Sequence, residues 1–329
     1  MNMRLIEEWP PAGRVSKAES LPVIGASRRG LGPLTGYWHD HSVDTSPKST
    51  SEGWVLPFVK ALFRPRQGVA DAHQPQNPPE VLSKPSTIDR LTYAIGDIHG
   101  RYDLFALAIE YIRHDARALN ERPRIVLLGD YIDRGPDSAQ VLSAIIDLRA
   151  QDWCDTEVLL GNHELFMIKF ALDTQSGAPW LNYGGLSTLA SYGITPPADR
   201  NDPDAWQALQ DELLVKIPRA HLQLLSHAHI YFIAGDYLFV HGGVAPGVPV
   251  EEQTVDTLLW IREAFLKSPR ASEYVVVHGH SAKATADNHR WRIGVDTGAY
   301  ATGVLSVMRL NGPERRLIQA KLSGVITPP

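Results

Sequence analysis

Three short turns in the second quarter of the sequence concentrate residues that could bind a metal ion. They are the segments 96–100 (GDIHG), 129–135 (GDYIDRG) and 161–164 (GNHE). Asp130 follows Asp97 by 33 residues, and Asn162 follows Asp130 by 32. That interval is the length of one β-α-β unit, so right-handed crossovers would bring the three turns to one edge of a sheet. Open α/β sheets bind their ligands at the edge where the strands have their carboxyl ends.

The polar side chains expected at this edge are oxygen and nitrogen ligands. In Asp97-Ile98-His99 the alternate spacing lets both polar groups point one way while Ile98 turns to the core. Two later strand-like runs, YLFVHGG and VVVHGHS, add one histidine each. The candidate metal ligands are Asp97, His99, Asp130, Asn162, His241 and His280. A set without sulfur suits Mn, Fe or Zn better than Ca, and it suffices for two ions about 3.5–4 Å apart that share a carboxylate.

The elements that must position these residues begin at Leu91. The runs LTYAI, RIVLL and TEVLL predict strands, and they alternate with helices predicted over 102–118, over 137–150 and after Asn162. This alternation is typical of β-α-β units with parallel pairing. Residues 165–228 are predicted to be mostly helical and irregular. The runs IYFIA, YLFVH, YVVVH, WRIGV and GVLSVMRL then predict a second sheet in the second half of the chain.

The first 88 residues have a different composition. They hold eleven of the 24 prolines and show no sustained helix or strand period, so we expect a largely irregular N-terminal extension over 1–88. Within it, Trp54–Phe63 (WVLPFVKALF) is predicted to form a short helix packed against the catalytic domain; docking to a membrane surface or a partner is the alternative. The catalytic domain is predicted over 89–329, with a helical insertion at about 165–228.

Composition and charge narrow the class of protein. Hydrophobic residues make up 43% and charged residues 21%, which is ordinary for a soluble globular protein, and the net charge of −5 gives no basic footprint for nucleic acid. The single cysteine, Cys154, can form neither an internal disulfide nor a thiolate cluster, which fits a reducing compartment. No apolar run suggests a secretory signal or a membrane span. We therefore expect a cytoplasmic protein.

The three turns, together with HGG at 241–243 and HGH at 278–280, resemble the calcineurin-like metallophosphoesterases. The aspartate and arginine before the last glycine of GDYIDRG narrow the resemblance to the bacterial phosphoprotein phosphatase branch. Further matching segments are WLNYGG at 180–185, TLASYG at 188–193, LLWIR at 258–262 and GVDTG at 294–298. The resemblance implies an α/β fold, namely the β-sandwich of that family flanked by helices, with a helical insertion.

The resemblance also implies a ligand set for two divalent metal ions, with Mn²⁺ expected and Fe or Zn as alternatives. Metal one would take Asp97, His99 and the bridging Asp130, and metal two would take Asp130, Asn162, His241 and His280. The pattern points to the second histidine of HisGlyHis as the ligand, which leaves His278 either to support the ligands from behind or to have a structural role. Ser281-Ala282 departs from the Thr-Pro expected in this branch, which could alter the rigidity of that loop.

A mechanism is implied by the same resemblance. A hydroxide bridging the two metals would attack phosphorus in line, without a covalent intermediate, so Cys154 has no catalytic role. Arg134, Arg262 and Asn162 would bind the phosphate. His163 would protonate the leaving oxygen, with Asp133 holding its imidazole and raising its proton affinity.

The resemblance leaves the substrate open. The leading hypothesis is a phosphomonoesterase for phosphoserine, phosphothreonine or phosphotyrosine in proteins and peptides. The alternative is a dinucleoside polyphosphate hydrolase, whose second motif lacks the aspartate found at Asp133. A phosphodiesterase or a phosphatase for another small organophosphate is a further alternative. A helical insertion at 165–228 that caps the site would favour such a small substrate. A non-catalytic phosphopeptide-binding scaffold is disfavoured because all six ligands are present, and the metallo-β-lactamase motif is absent.

Overall fold

The structure, a computed structural model, describes residues 85–326. The strands in chain order are β1 (Ile88–Ile95), β2 (Arg124–Leu127), β3 (Asp155–Val158), β4 (Tyr231–Ala234), β5 (Tyr237–Val240), β6 (Val275–His278), β7 (Asp287–Asn288), β8 (Arg292–Gly294), β9 (Val304–Gly312), β10 (Glu314–Lys321) and β11 (Gly324–Ile326). The predicted irregular extension, including Trp54–Phe63, falls on residues 1–84 almost entirely, outside the described residues. It therefore stays a prediction.

The helices lie between these strands. In chain order they are α1 (Tyr102–Leu119), α2 (Ser138–Arg149), α3 (Asn162–Leu172), α4 (Gly177–Trp180), α5 (Leu186–Ser191), α6 (Pro203–Lys216), α7 (Arg219–Ser226), α8 (Val255–Trp260), α9 (Glu263–Leu266) and α10 (Ala299–Thr302). A single π-helical turn, Leu181–Gly185, joins α4 to α5. The stretch between β3 and β4 is thus mainly helical, as its composition indicated.

The strands form two sheets. The first has six strands in the order β11-β10-β9-β1-β2-β3, and the second has five in the order β4-β5-β6-β8-β7. Strands β1, β2 and β3 run parallel, joined by α1 and α2, so their carboxyl ends lie at one edge as the 33- and 32-residue intervals predicted. In the second sheet β5, β6 and β8 are also parallel.

One strand lies in a different sheet from the one predicted. The run GVLSVMRL was assigned to the second sheet, but β9 pairs antiparallel with β1 in the first sheet, and β10 and β11 extend that sheet further. Strand β9 is buried along most of its length, which requires cover on both faces and a central position. An apolar run predicts a buried strand but does not name the neighbour it pairs with, so the sequence pattern could not assign the sheet.

The two sheets pack face to face because their strands alternate. From the first sheet Ala94 and Val126 point inward, and from the second Phe239 and Val277 meet them in one fully buried cluster. The residues between them on each strand point the other way. Tyr93 and its neighbours face the helices α1 to α3, while Leu238, Val240 and Val276 are covered by α8 and α9. The result is the predicted β-sandwich flanked by helices.

Candidate active site

Every predicted metal ligand follows the carboxyl end of a parallel strand. Asp97 and His99 follow β1, Asp130 follows β2 and Asn162 follows β3, whereas His241 and His280 follow β5 and β6 of the other sheet. All six side chains are buried. Sheet packing therefore joins the two edges, and it brings together residues that lie up to 183 positions apart in the chain.

The carboxylate of Asp130 lies at the centre of this cluster. Its Oδ1 is 3.3 Å from Nε2 of His241, and its Oδ2 is 3.5 Å from Nε2 of His99 and 3.9 Å from Nε2 of His163. Burial opposes ionisation of this carboxyl, but the neighbouring imidazoles of His241 and His163 outweigh it and hold the pKa of Asp130 well below its usual range. Asp130 is thus an anion shared by histidines from both sheets.

The backbone around these side chains is unusual. Of the six non-glycine residues with positive φ in residues 85–326, five belong to this site: His99, Asp130, Asp133, Arg134 and His280. Such conformations cost free energy and persist only where surrounding contacts enforce them. Here the amides of Ile98 and His99 both donate to the Asp130 carbonyl, at 3.0 and 2.8 Å. Strain is thus concentrated where side chains must converge.

Glu164, in the first turn of α3, fixes the turn that carries Asp130. Its carboxylate accepts four backbone N–H groups, from Asp130 at 2.8 Å, Tyr131 at 2.8 Å, Ile132 at 3.2 Å and Gly161 at 3.0 Å. Its side chain is fully buried, and burial, with the charge of Asp130, raises the pKa of Glu164 to about 7. One carboxylate thereby ties the second turn to the third. Glu164 was given no role from the sequence, although glutamate at the third position of a helix is a recognisable capping signal.

Asp133 and His163 form a hydrogen-bonded pair, with Oδ2 and Nδ1 2.7 Å apart. The Asp133 carboxylate also accepts Trp180 Nε1–H at 3.1 Å and Thr188 Oγ1–H at 2.5 Å. Burial opposes the charged imidazole, but Asp130 and Asp133 outweigh it and raise the pKa of His163. Trp180 and Thr188, like Glu164, were given no role from the sequence. They reach the site from the helical stretch, 47 and 55 residues beyond Asp133.

The hydrogen bonds of His99 and His241 direct a lone pair at Asp130. Nδ1 of His99 is 2.8 Å from the carbonyl oxygen of Ile132, and Nδ1 of His241 is 2.9 Å from that of Leu128. A carbonyl oxygen only accepts hydrogen bonds, so Nδ1 of each ring carries a proton. In the neutral ring, Nε2 then keeps its lone pair and can coordinate a metal ion. Nε2 of His241 also lies 2.8 Å from Oδ1 of Asn162. Nε2 of His241, Oδ1 of Asn162 and Oδ1 of Asp130 are thus three acceptors that lie close together, and only a proton or a cation satisfies them at once.

Guanidinium groups face Nε2 of three histidines at this site. Nη1 of Arg134 is 3.0 Å from Nε2 of His99, and Nη2 of Arg134 is 3.0 Å from Nε2 of His163. Nε of Arg262 is 3.0 Å from Nε2 of His280. Positive charge therefore stands in front of Nε2 on both sides of Asp130. The donor atoms themselves, which are oxygen and imidazole nitrogen without sulfur, fit divalent cations such as Mn, Fe or Zn.

Two sets of donor atoms within 4.8 Å of one another occur in residues 85–326: His99 with Asp130 and His163, and Asp130 with His241 and His280. Asp130 belongs to both, as expected for a bridging ligand. Asp97, predicted as a ligand, lies in neither set. Its carboxylate instead accepts the backbone N–H of His280 at 3.0 Å. Burial, together with the nearby carboxylates of Asp296 and Asp130, raises its pKa well above the usual value.

His278 lies apart from the converging donors. Its Nδ1 is 2.9 Å from the Gly279 carbonyl oxygen, and its ring meets Phe265 edge to face, with centroids 5.0 Å apart. Burial lowers its pKa to about 3. These contacts agree with the structural role expected for the first histidine of HisGlyHis.

The family can now be assigned. Residues 91–297, more than half of the chain, match the family model of the calcineurin-like phosphoesterases. This chain belongs to the calcineurin-like phosphoesterase family. It is accordingly a hydrolase of phosphoesters, in a family that uses divalent metals. Within residues 85–326 of this phosphoesterase, no helix has the length and apolar character needed to cross a membrane.

Curated relatives of this phosphoesterase carry different substrate names. A zinc-dependent endopolyphosphatase of Saccharomyces cerevisiae is 27% identical over 66% of this chain and 74% of the relative. A symmetrical bis(5'-nucleosyl)-tetraphosphatase of Nitrosomonas europaea is 26% identical, covering 69% and 70%. Serine/threonine-protein phosphatase 2 of Escherichia coli is 26% identical, covering 67% of this chain and 93% of that protein. The relatives therefore support a metallophosphoesterase and leave its substrate open.

Proposed function

We propose that this chain is a dinuclear metal-dependent phosphomonoesterase that acts on phosphorylated serine, threonine or tyrosine side chains of proteins and peptides. The observation that carries this proposal is the buried Asp133–His163 pair beside the histidine–carboxylate cluster. A phosphomonoester with a poor leaving group needs a proton donor at the leaving oxygen, and an imidazole held by a carboxylate is suited to that task. Asp133 is also the residue that the dinucleoside polyphosphate hydrolases were expected to lack.

The proposed cation ligands divide between the two sheets. Asp97, His99 and Asp130 would hold the first ion, with His163 close to it, and Asp130, Asn162, His241 and His280 would hold the second. Such cations acidify water and so supply the nucleophile for in-line attack. Mn²⁺ is the proposed native ion; Fe and Zn fit the same donors.

The remaining steps belong to side chains of this protein. The guanidinium groups of Arg134 and Arg262, which enter the cluster from two sides, would bind the non-bridging phosphoryl oxygens, with Asn162 assisting. His163 would donate its proton from Nε2 to the leaving oxygen, because Nδ1 is engaged by Asp133. Trp180 and Thr188 hold the Asp133 carboxylate in place, so the orientation of the imidazole is fixed before substrate binds.

The test is a metal-dependent substrate comparison. The protein is stripped with chelator, then assayed with and without Mn²⁺ on p-nitrophenyl phosphate, a phosphoserine peptide and diadenosine tetraphosphate. Activity restored by metal on the first two substrates, and little on the third, is the expected result. Absence of activity with Mn²⁺, Fe²⁺ and Zn²⁺ on all three would overturn the proposal.

The second candidate is hydrolysis of dinucleoside polyphosphates. It is favoured by the Nitrosomonas europaea relative and by the helices α3 to α7, which could restrict access to a small substrate. A preference for diadenosine tetraphosphate in the same assay would select it. The cytoplasmic location expected from the single cysteine stays a prediction.

A further inference from the structure

Tyr183 has an exposed ring that the proposed chemistry does not use. Among the Phe, Tyr and Trp side chains of residues 85–326, only Tyr183 and Tyr300 exceed 40% exposure, at 48% and 41%. Both lie at the candidate active site, where their rings contact those of His163 and His99. Tyr300 is engaged by Arg134, whose guanidinium carbon lies 4.8 Å from the centre of the ring. Tyr183 is therefore the exposed ring whose role remains to be explained.

The backbone holds Tyr183 beside the proposed phosphate-binding arginine. It lies in the π-helical turn between α4 and α5, followed by Gly184 at φ 120°. The amide of Arg134 donates to the Gly184 carbonyl at 3.2 Å, and a Cβ on Gly184 would come within 2.9 Å of Cγ of Arg134. Only glycine allows this conformation and this approach together. The backbone of this turn is thus held against Arg134, and the centroid of the Tyr183 ring lies 6.4 Å from that of His163.

Two further aromatic side chains support the ring from behind. Phe166 stacks on Tyr183 with centroids 4.9 Å apart, and Trp260 meets Tyr183 at 6.0 Å and Phe166 at 5.3 Å, edge to face. Trp260 also contacts the ring of His280 at 5.9 Å. We call Phe166, Tyr183 and Trp260 the aromatic wall. Because its rings pack on one another, it is in place before substrate arrives.

The position of the wall indicates which part of a substrate it contacts. His163 is proposed to protonate the leaving oxygen, so a ring held next to His163 and beside the turn that carries Arg134 lies where the leaving group joins the phosphoryl group. Aromatic side chains attract flat rings by offset stacking and edge-to-face contact, and stack on nucleobases irrespective of sequence. A serine or threonine leaving group offers no such surface.

We propose that the aromatic wall binds a planar aromatic group on the leaving side of the phosphoester, which makes Tyr183 a specificity-determining residue. This inference rests on the proposed function. Two sources supply the required chemistry: the phenol ring of phosphotyrosine and the base of a nucleoside polyphosphate.

The test compares Tyr183→Leu with the matched variant Tyr183→Phe, which keeps the ring and loses only the hydroxyl. Each Mn²⁺-loaded protein is assayed on a phosphotyrosine peptide, the same peptide with phosphoserine, and diadenosine tetraphosphate. Tyr183→Leu is expected to lower kcat/KM about tenfold on a ring-bearing substrate, the loss typical of removing one aromatic stacking contact. Phosphoserine turnover by Tyr183→Leu, and all activities of Tyr183→Phe, should change less than about twofold.

The pattern of loss identifies the source of the ring. A loss confined to phosphotyrosine assigns the phenol, and one confined to the dinucleotide assigns the base; either supports the inference. An equal loss on phosphoserine, or no loss on any substrate, overturns it. Binding of non-hydrolysable phosphonate analogues of both peptides is measured by calorimetry. If the wild-type protein proves inactive, which counts against the proposed function, this titration still decides whether Tyr183→Leu selectively weakens binding of the aromatic analogue.

Discussion

The two sheets contribute unequal halves to the candidate active site. The half that follows β1, β2 and β3 anchors itself, through the four amides bound by Glu164 and the groups that surround Asp133. The half that follows β5 and β6 contributes imidazoles and depends on the first. His241 donates to the carbonyl of Leu128, and the amide of His280 donates to Asp97. Substitutions in the first half should therefore perturb the second half as well, whereas substitutions in the second half should affect that half alone.

Asp130→Asn should have the largest effect, because it neutralises the carboxylate common to both halves. We expect a loss of at least about 10³ in kcat, as for the loss of an essential charge in a dry site. Metal content, measured by elemental analysis of the purified protein, should fall from about two ions per chain towards none.

His280→Asn is the matched control for Asp130→Asn. It removes one imidazole from the second half alone and should leave about one ion bound. Two tightly bound ions in Asp130→Asn would show that the carboxylate does not join the halves.

His163→Asn tests a group of the first half that is proposed to donate a proton. On a phosphoserine peptide kcat should fall about 10²–10⁴-fold, the usual worth of a general acid. On p-nitrophenyl phosphate, whose leaving group needs no proton, the fall should be much smaller. Metal content should stay unchanged, and Asp133→Asn should reproduce the pattern more weakly. Equal losses of kcat on both substrates would show that His163 is not the general acid.

Glu164→Gln should reveal how strongly the first half depends on its own anchor. The NH2 group of the glutamine side chain cannot accept a hydrogen bond, so about half of the four backbone N–H groups would lose their partner, at about 1–3 kcal/mol for each buried group left unsatisfied. Thermal denaturation should show a lower Tm, by several degrees. The control is Glu212→Gln, which removes an exposed ion pair with Lys216 and should hardly change Tm. Comparable shifts in both variants would contradict the anchoring role.

The sequence predicted the self-anchored half better than the other. Glycine-flanked acids at 33- and 32-residue intervals indicate both the β-α-β units and the edge where their turns meet, and the structure has them there. The side chains that hold Asp133 could not be found from such intervals, although Trp180 and Thr188 begin two segments that resemble the family, WLNYGG and TLASYG. Trp180 and Thr188 come from a helical stretch without a fixed spacing, and only tertiary packing brings them to the carboxylate.

The sequence was least informative about pairing in the second half of the chain. The run GVLSVMRL has the pattern of any buried strand, and its place beside β1 depends on which edge the other strands leave open.

The direction of the cation-donor side chains was also beyond what the sequence indicates. The grouping of Asp97 with His99 and Asp130 as ligands stays a prediction; the motif did not indicate that His163 would share a donor set with His99 and Asp130, or that Asp97 would accept the backbone N–H of His280. Side-chain direction within a turn is set by contacts that a motif does not encode.

The smallest effect is expected from Asp287→Asn, which tests the remaining support of the second half. Asp287 in β7 accepts from Arg292 at 2.6 Å and from Lys283, in the loop that begins at His280. This bridge holds the loop in which Ser281-Ala282 replaces the expected Thr-Pro. Asparagine should loosen the loop, and the Mn²⁺ concentration for half-maximal activity should rise about threefold, a cost near that of one weakened hydrogen bond. At saturating Mn²⁺ kcat should match wild type, because the first half is untouched. A lower kcat at saturation would mean that the Asp287 bridge also supports the self-anchored half, and that the two halves are not independent in that direction.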